Sequence, residues 1–108
     1  MCRKWHGAAF ATYATVPADR LRITQGADVL RAYESSPGVT RSFCGRCGSS
    51  MLWQGDAGHI GFALGGLDTP PNAPLSAPRQ WHIYAGSKAS WWTITDGQPQ
   101  YQERPTSP

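Results

Sequence analysis

A pair of cysteines at the tip of a predicted β-hairpin most strongly limits how this chain can fold. Cys44 and Cys47 stand in a C-x-x-C spacing, and each is followed by a glycine, Gly45 and Gly48. Two thiolates three positions apart on such a turn can hold one tetrahedral metal ion from the same side. Glycine lets the backbone adopt the positive φ angles that other residues avoid. The motif therefore predicts a metal-binding turn that supplies half of a four-ligand site.

Alternating apolar and polar residues predict short strands along most of the chain, with 12 glycines and 9 prolines available for the turns between them. Residues 39–43 lead into the cysteine turn and residues 50–54 lead out of it, so they form its hairpin. A strong turn signal at residues 35–38 separates this hairpin from a strand at 29–34. Further strands are predicted at residues 9–16, 21–24, 59–64 and 81–84. The predicted class is all-β or nearly so, with antiparallel pairing.

The remaining segments are predicted to be turns and loops. Residues 16–20 form either a tight turn or one helical turn, and residues 89–94 form another helical turn. Residues 68–79 are too rich in proline for a core element. The tail at 96–108 is rich in turn residues and is expected to lie over the surface.

Length and charge restrict the class of protein. The 108 residues are predicted to form one domain, 1–108. The ten basic residues are scattered and the net charge is +3, which indicates a slightly basic surface and no nucleic-acid partner. No apolar run approaches membrane length, so no membrane partner is expected. Three cysteines do not make a secreted disulfide framework, which favours a cytoplasmic location.

Other interpretations of the cysteine pair are weaker but stay open. Cys44 and Cys47 could be ordinary buried thiols, since cysteine is often buried. A redox pair needs its first cysteine at a helix N-terminus, whereas residues 48–53 predict a turn and then a strand. A nucleic-acid-binding zinc ribbon needs a second C-x-x-C pair, which the sequence lacks.

The third cysteine and the histidines carry a weaker signal. Cys2 stands beside Arg3 and Lys4, whose charges favour metal ligation or nucleophilic use of its sulfur. The histidines are not paired at helical spacing, so we expect each of them to be a structural or surface residue: His6, His59 and His82.

Four stretches together resemble the glutathione-dependent formaldehyde-activating enzyme family, which includes centromere protein V-like domains. They are residues 2–10 (CRKWHGAAF), 42–49 (SFCGRCGS), 81–91 (WHIYAGSKASW) and 96–101 (DGQPQY). Their order and spacing agree with the family across nearly the whole chain. The resemblance implies a mainly β fold, with small antiparallel sheets in a β-tent arrangement, and a single zinc-binding domain over residues 1–108.

The resemblance also implies two zinc (Zn²⁺) sites. In the family, a structural ion is held by an early C-x-C pair and a later C-x-x-C pair, and the later pair corresponds to Cys44 and Cys47. A functional ion is held by a C-x-C-x-x-C cluster, of which only the last cysteine has a counterpart, Cys2. The family's first strands and their cysteines are missing. We therefore expect an N-terminally incomplete domain in which Met1 is an internal residue of a longer protein.

Two consequences of the missing cysteines are expected. Zinc binding should be partial or absent in this chain. Alternatively, a homodimer in which two C-x-x-C hairpins meet across a two-fold axis would complete a four-thiolate site.

The activity implied by the resemblance is that of a carbon–sulfur lyase similar to S-(hydroxymethyl)glutathione synthase. Such an enzyme joins a small thiol, glutathione, reversibly to formaldehyde with the help of zinc. On this interpretation Cys2 is the catalytic residue, and the substrate-binding residues are Arg3, Trp5, Phe10 and Trp91. The missing ligands predict that the activity is impaired in this chain. The alternative is a non-catalytic zinc-binding interaction module.

Overall fold

The computed structural model describes residues 2–55, 58–69 and 80–105. The chain divides into two compact units. One consists of Met1–Ala11 and Pro70–Pro108, and the other consists of Thr12–Thr69. The predicted loop at 68–79 lies almost entirely outside the described residues.

The unit Thr12–Thr69 is built on a five-stranded antiparallel sheet with the order β1-β5-β4-β3-β2. Its strands are β1 (Tyr13–Pro17), β2 (Leu30–Ser36), β3 (Val39–Cys44), β4 (Ser50–Gln54) and β5 (His59–Ala63). Gly38, with φ of 78°, turns the chain between β2 and β3. The prediction of a mainly β, antiparallel fold is confirmed, as is the hairpin with the cysteine pair at its tip.

A row of directly opposed residues crosses the centre of this sheet. Tyr33 pairs with Arg41, Arg41 with Trp53, and Trp53 with Gly61. Arg41 is only 5% exposed, and its Nε donates a hydrogen bond to the Ser35 hydroxyl at 3.1 Å. Opposed residues share a face of a sheet, so the Arg41 guanidinium lies among aromatic side chains on this face.

Gly61 lies at one end of this row, between two large aromatic residues. A Cβ at that position would lie 3.4 Å from the Tyr13 ring and 3.6 Å from the Trp53 Cβ, which are ordinary contacts. A small side chain at this position would thus fit beside two large aromatic residues on neighbouring strands.

The prediction of a strand at residues 21–24 is wrong. The structure has a 3-10 turn at Ala18–Arg20, which is the helical alternative for residues 16–20, followed by irregular backbone. The chain then turns at Gly26 and forms a second 3-10 turn at Ala27–Val29. The physical reason is that the Leu21 N–H closes the Ala18–Arg20 turn, with the Ala18 carbonyl at 3.4 Å, so it is not available to begin a strand. β1 begins at Tyr13 and not at residue 9, because its partner β5 ends at Ala63, opposite Tyr13.

In residues 2–11 and 80–105, which the structure describes of the other unit, regular structure is sparse. A short helix, α1 (Cys2–His6), which the sequence patterns did not predict, ends at Gly7, whose N–H bonds the Arg3 carbonyl at 2.9 Å. The strand predicted at residues 81–84 is also wrong, because only His82 forms a bridge, to Gln100. Its N–H donates to the Pro99 carbonyl at 2.8 Å. A single bridge forms because the chain enters a 3-10 turn directly afterwards, at Ala85–Ser87.

The segments around this bridge are held by backbone hydrogen bonds. The Tyr84 N–H donates to the Glu103 carbonyl at 2.7 Å. The described part of the tail, which extends to residue 105, is therefore hydrogen-bonded to residues 82–86. The predicted helical turn near residues 89–94 is a single turn, closed by the Trp92 N–H and the Ala89 carbonyl at 3.2 Å. Ala89 is 3% exposed. No helix in the described ranges has the length and apolar character needed to cross a bilayer.

Candidate functional site

The cysteine turn joins β3 to β4 and is closed by backbone hydrogen bonds. The Cys44 N–H donates to the Ser49 carbonyl at 2.9 Å, and the Gly48 N–H donates to the Cys44 carbonyl at 2.8 Å. Gly48 has φ of 81°, the left-handed conformation that glycine adopts without steric cost. The turn is therefore a defined loop, and its second glycine is needed for its backbone shape.

Gly45 is needed for a different reason, close backbone approach. Its N–H donates to the Val29 carbonyl at 2.8 Å, which fixes the turn to the segment just before β2. A Cβ at this position would lie 2.8 Å from that same carbonyl oxygen and 3.0 Å from the Arg31 Cγ. No side chain fits here without displacement of the backbone. The first glycine of the motif thus fixes the turn against the rest of the sheet.

The two sulfur atoms of the turn accept or share hydrogen bonds. The Arg46 N–H donates to the Cys44 Sγ at 3.4 Å, and the Cys47 Sγ lies 3.0 Å from the Ser49 Oγ. The Ser49 hydroxyl, followed by the Ser49 backbone N–H and then the Cys44 side chain, lowers the pKa of the Cys47 thiol. Cys47 is exposed and Cys44 is half-buried. The hydrogen bonds around Cys47 thus favour its thiolate form, which is the form that binds metal ions.

This donor set fits two positions of a tetrahedral zinc site. Both ligands are soft thiols on one short turn, as zinc prefers. Within residues 2–55, 58–69 and 80–105, no group of three or more His, Cys, Asp or Glu side chains could hold a metal ion. Cys2 lies on α1 and is exposed, and one thiol alone does not fit a tightly held ion. The ligand roles of Cys2, Cys44 and Cys47 remain predictions.

The residues predicted to contact substrate belong to the unit formed by Met1–Ala11 and Pro70–Pro108. They include one thiol, one cation and three aromatic residues: Cys2, Arg3, Trp5, Phe10 and Trp91. Phe10 stacks on Trp92, with the ring centroids 4.7 Å apart and the planes 19° from parallel. Trp91 is 71% exposed. The structure therefore pairs Phe10 with the second tryptophan of the Trp91-Trp92 dipeptide.

A hydrogen-bonded pair of a histidine and an aspartate, which sequence reasoning missed, lies in this same unit. His82 Nε2 is 2.8 Å from Asp96 Oδ2, and the other oxygen of Asp96 accepts the Gln98 N–H at 3.0 Å. The Gln98 N–H, with a smaller contribution from His82, lowers the pKa of the Asp96 carboxyl. The ring of His82 stands edge-on to Trp92, at 6.1 Å and 66°.

Only part of this arrangement has a signal in the sequence. The dipeptide Asp96-Gly97 is a turn signal, and aspartate in such a turn bonds the N–H two residues on. The partner His82 is 14 residues away, with no local pattern that links it to Asp96. No sequence pattern indicates that Trp92, and not its neighbour Trp91, contacts Phe10 and His82.

Comparison with known proteins agrees with the motifs at residues 2–10 and 42–49 and with the first part of the motif at 81–91. A family model described as glutathione-dependent formaldehyde-activating enzyme matches residues 1–87 of the chain. This range contains the cysteine turn and His82, whereas Trp92 and Asp96 lie beyond it. A search of curated proteins finds no match.

Proposed function

Because the chain belongs to the glutathione-dependent formaldehyde-activating enzyme family, we propose that it joins a small thiol such as glutathione to formaldehyde, as a carbon–sulfur lyase with zinc as its metal. The family match over residues 1–87 carries the proposal. In this reaction a sulfur–carbon bond forms as the carbonyl π bond breaks. The proton leaves sulfur and a proton reaches oxygen, which gives the S-(hydroxymethyl) adduct. The reverse reaction releases thiol and aldehyde.

The cysteine turn supports zinc as the metal. Cys44 and Cys47 would hold the ion, and the hydrogen bond with Ser49 favours the thiolate form of Cys47 that the ion needs. The other two positions are proposed to be filled by the same turn of a second chain, or by water. When bound, zinc at such a site stabilises the fold. Cys2 by itself does not fit a catalytic ion. The reaction steps proposed for this chain are therefore assigned to its own side chains and not to a metal ion.

Recognition of the thiol is proposed to involve the unit that contains α1. Arg3 is exposed on α1 and can donate paired hydrogen bonds to a carboxylate of glutathione. Trp5, Phe10 and Trp91 supply aromatic surface for the rest of the ligand. Cys2 stands next to Arg3 and is proposed to act at the reacting sulfur.

The test is the rate of exchange between glutathione and its S-(hydroxymethyl) adduct, measured by NMR exchange spectroscopy with labelled formaldehyde. We expect the zinc-supplied chain to raise this rate in proportion to its concentration and to saturate with glutathione. Arg3→Ala should raise the KM for glutathione about tenfold, because hydrogen bonds to charged groups contribute about 1.5–3 kcal/mol. Arg20→Ala, which changes an exposed arginine in the Ala18–Arg20 turn, is the matched control.

Two outcomes would contradict this proposal. If the zinc-supplied chain leaves the exchange rate at its uncatalysed value, the activity is absent. If mercaptoethanol, which has no carboxylate, is used as well as glutathione, the assigned role of Arg3 is wrong.

A second candidate function is a non-catalytic zinc-binding interaction module. It is favoured by the finding that the described residues supply two thiols on one turn and no larger ligand group. Such a module needs the fold and one metal site but no reacting group. Zinc binding together with an unchanged exchange rate would select this second function over the first.

A further inference from the structure

The pair His82 and Asp96 has the geometry of an oriented general base. We propose that His82 takes the proton from the thiol as its sulfur adds to formaldehyde, and that Asp96 positions the imidazole. Nothing in the family match covers Asp96, which lies beyond residue 87. The inference rests on the proposed function, since it names the group that would move the proton in that reaction.

The hydrogen bonds determine which ring nitrogen can accept a proton. An ionised carboxylate can only accept hydrogen bonds, and Asp96 accepts with both oxygens, from the Gln98 N–H at 3.0 Å and from His82 Nε2 at 2.8 Å. Nε2 of His82 must therefore carry the hydrogen. In the neutral ring the other nitrogen, Nδ1, is then the unprotonated one. Nδ1 is the atom we assign as the base.

Hydrogen bonds to neighbouring backbone groups hold both members of the pair in place. The His82 N–H donates to the Pro99 carbonyl at 2.8 Å, and its carbonyl accepts the Tyr101 N–H at 2.9 Å. Asp96 sits in a turn with Gly97 at φ of 72°, and the Gln98 N–H fixes its carboxylate. The imidazole is thus oriented from two sides before any ligand arrives. Preorganisation of this kind is what a proton-transfer group requires.

Aromatic rings form one side of the surroundings of this imidazole. Trp92 stands edge-on to the His82 ring, and Phe10 stacks on Trp92. The Lys88 Nζ donates to the Trp92 carbonyl at 2.7 Å, which helps to hold the tryptophan backbone. The side chain of His82 is 21% exposed, so a small thiol can reach it while much of the ring is shielded from water. In the described residues, Asp96 is the charged group bonded to this ring.

The alternative is that the pair is only a surface ion pair. Exposed ion pairs contribute little to stability. That role does not require the second hydrogen bond that fixes the carboxylate or the tryptophan beside the ring.

The proposed step is balanced. The sulfur proton passes to His82 Nδ1, sulfur bonds to carbon, the carbonyl π electrons move to oxygen, and the imidazolium returns its proton to that oxygen.

The test combines substitution with chemical rescue. In the NMR exchange assay, His82→Ala should lower the protein-dependent rate about a hundredfold, within the usual range for general base catalysis, and added imidazole should restore part of it. Asp96→Asn should lower kcat with little change in the KM for glutathione, because Asp96 positions the base and does not bind the thiol. His59→Ala removes an exposed histidine at the start of β5, and it should leave the rate unchanged.

Two measurements on the unaltered chain distinguish a general base from a residue that has only a structural role. The pH dependence of the protein-dependent rate should differ from that of thiol ionisation alone, which is centred near about pH 8.5. Nitrogen NMR of the neutral His82 ring should show the hydrogen on Nε2. These measurements decide the matter even if His82→Ala does not fold.

The outcomes separate this inference from the proposed function. If the chain is active and His82→Ala is as active as His59→Ala, the base is another group and only this inference is overturned. A hydrogen on Nδ1, or a rate that follows thiol ionisation alone, also overturns it. If the zinc-supplied chain has no activity at all, the proposed function fails and this inference fails with it. A large loss in His82→Ala with imidazole rescue supports both.

Discussion

Single residues of the cysteine turn show how chemistry and backbone geometry depend on each other. Cys44 and Cys47 could bind a metal ion only if the turn holds their sulfurs near each other. Gly45 and Gly48 make that turn feasible, one by close approach to the Val29 carbonyl and the other by its positive φ. The sequence predicted both glycines as turn formers. It could not predict that Gly45 lies against Val29, because this contact depends on the path of the chain before β2.

We expect Gly45→Ala to lower the free energy of unfolding by about 1–3 kcal/mol, the usual cost of overpacking. The added Cβ would lie 2.8 Å from the Val29 carbonyl oxygen, and backbone cannot move aside as a flexible side chain can. Thermal and urea unfolding would measure the change. Gly65→Ala, at a position where the added Cβ meets nothing within 4 Å, is the matched control and should be nearly neutral. Equal stability of the two variants would show that the close approach is not maintained in solution.

At the scale of elements, alternation predicted segments in which all five strands of the sheet form. β2, β3 and β4 are joined by tight turns, so local pattern and pairing coincide. Residues 21–24 and 81–84 show similar patterns but do not form strands: the first segment follows a 3-10 turn, and the second makes a single bridge, at His82. A strand is a property of a pair of segments, whereas alternation is a property of one. This difference explains why the same signal was right for the strands of the sheet and wrong for these two segments.

The packing of Trp53, near the end of β4, leads to a prediction about the stability of the sheet. A Cβ on Gly55 would lie 2.5 Å from the far edge of the Trp53 indole, whereas a Cβ on Gly61 would make only ordinary contacts. We expect Gly55→Ala to destabilise the sheet by about 1–3 kcal/mol, because the indole must leave its place beside Arg41. Gly61→Ala should change the stability by less than about 1 kcal/mol. Fluorescence-monitored urea unfolding would measure both, and a reversed order would contradict the assigned packing.

For the molecule as a whole, the proposed zinc site links metal binding to stability. A ligand that binds only the folded chain stabilises it by about 2.7 kcal/mol when its concentration is 100 times its Kd. The described residues offer a pair of thiols on one turn, so a site completed by a second chain would bind one ion for every two chains. Folding, metal content and association should then change together.

We expect added zinc to raise the melting temperature of the purified chain and a chelator to reverse the increase. Cys44→Ser and Cys47→Ser should abolish the shift, because each removes a thiolate from the turn. Cys2→Ser, which removes the thiol on α1, is the control and should keep it. Metal analysis and light scattering should show half an ion per chain in a dimer. A metal-free monomer under the same conditions would contradict the shared site.

The sequence by itself determined the cysteine turn, most strands of the sheet and the family, because these depend on spacing, alternation and turn residues close together in the chain. The tertiary structure decided which distant residues meet. In it β1 pairs with β5, Phe10 stacks on Trp92, and His82 forms a hydrogen bond with Asp96. Such pairings depend on how intervening segments travel through space. Local patterns do not specify that path, since it follows from the packing of the whole unit.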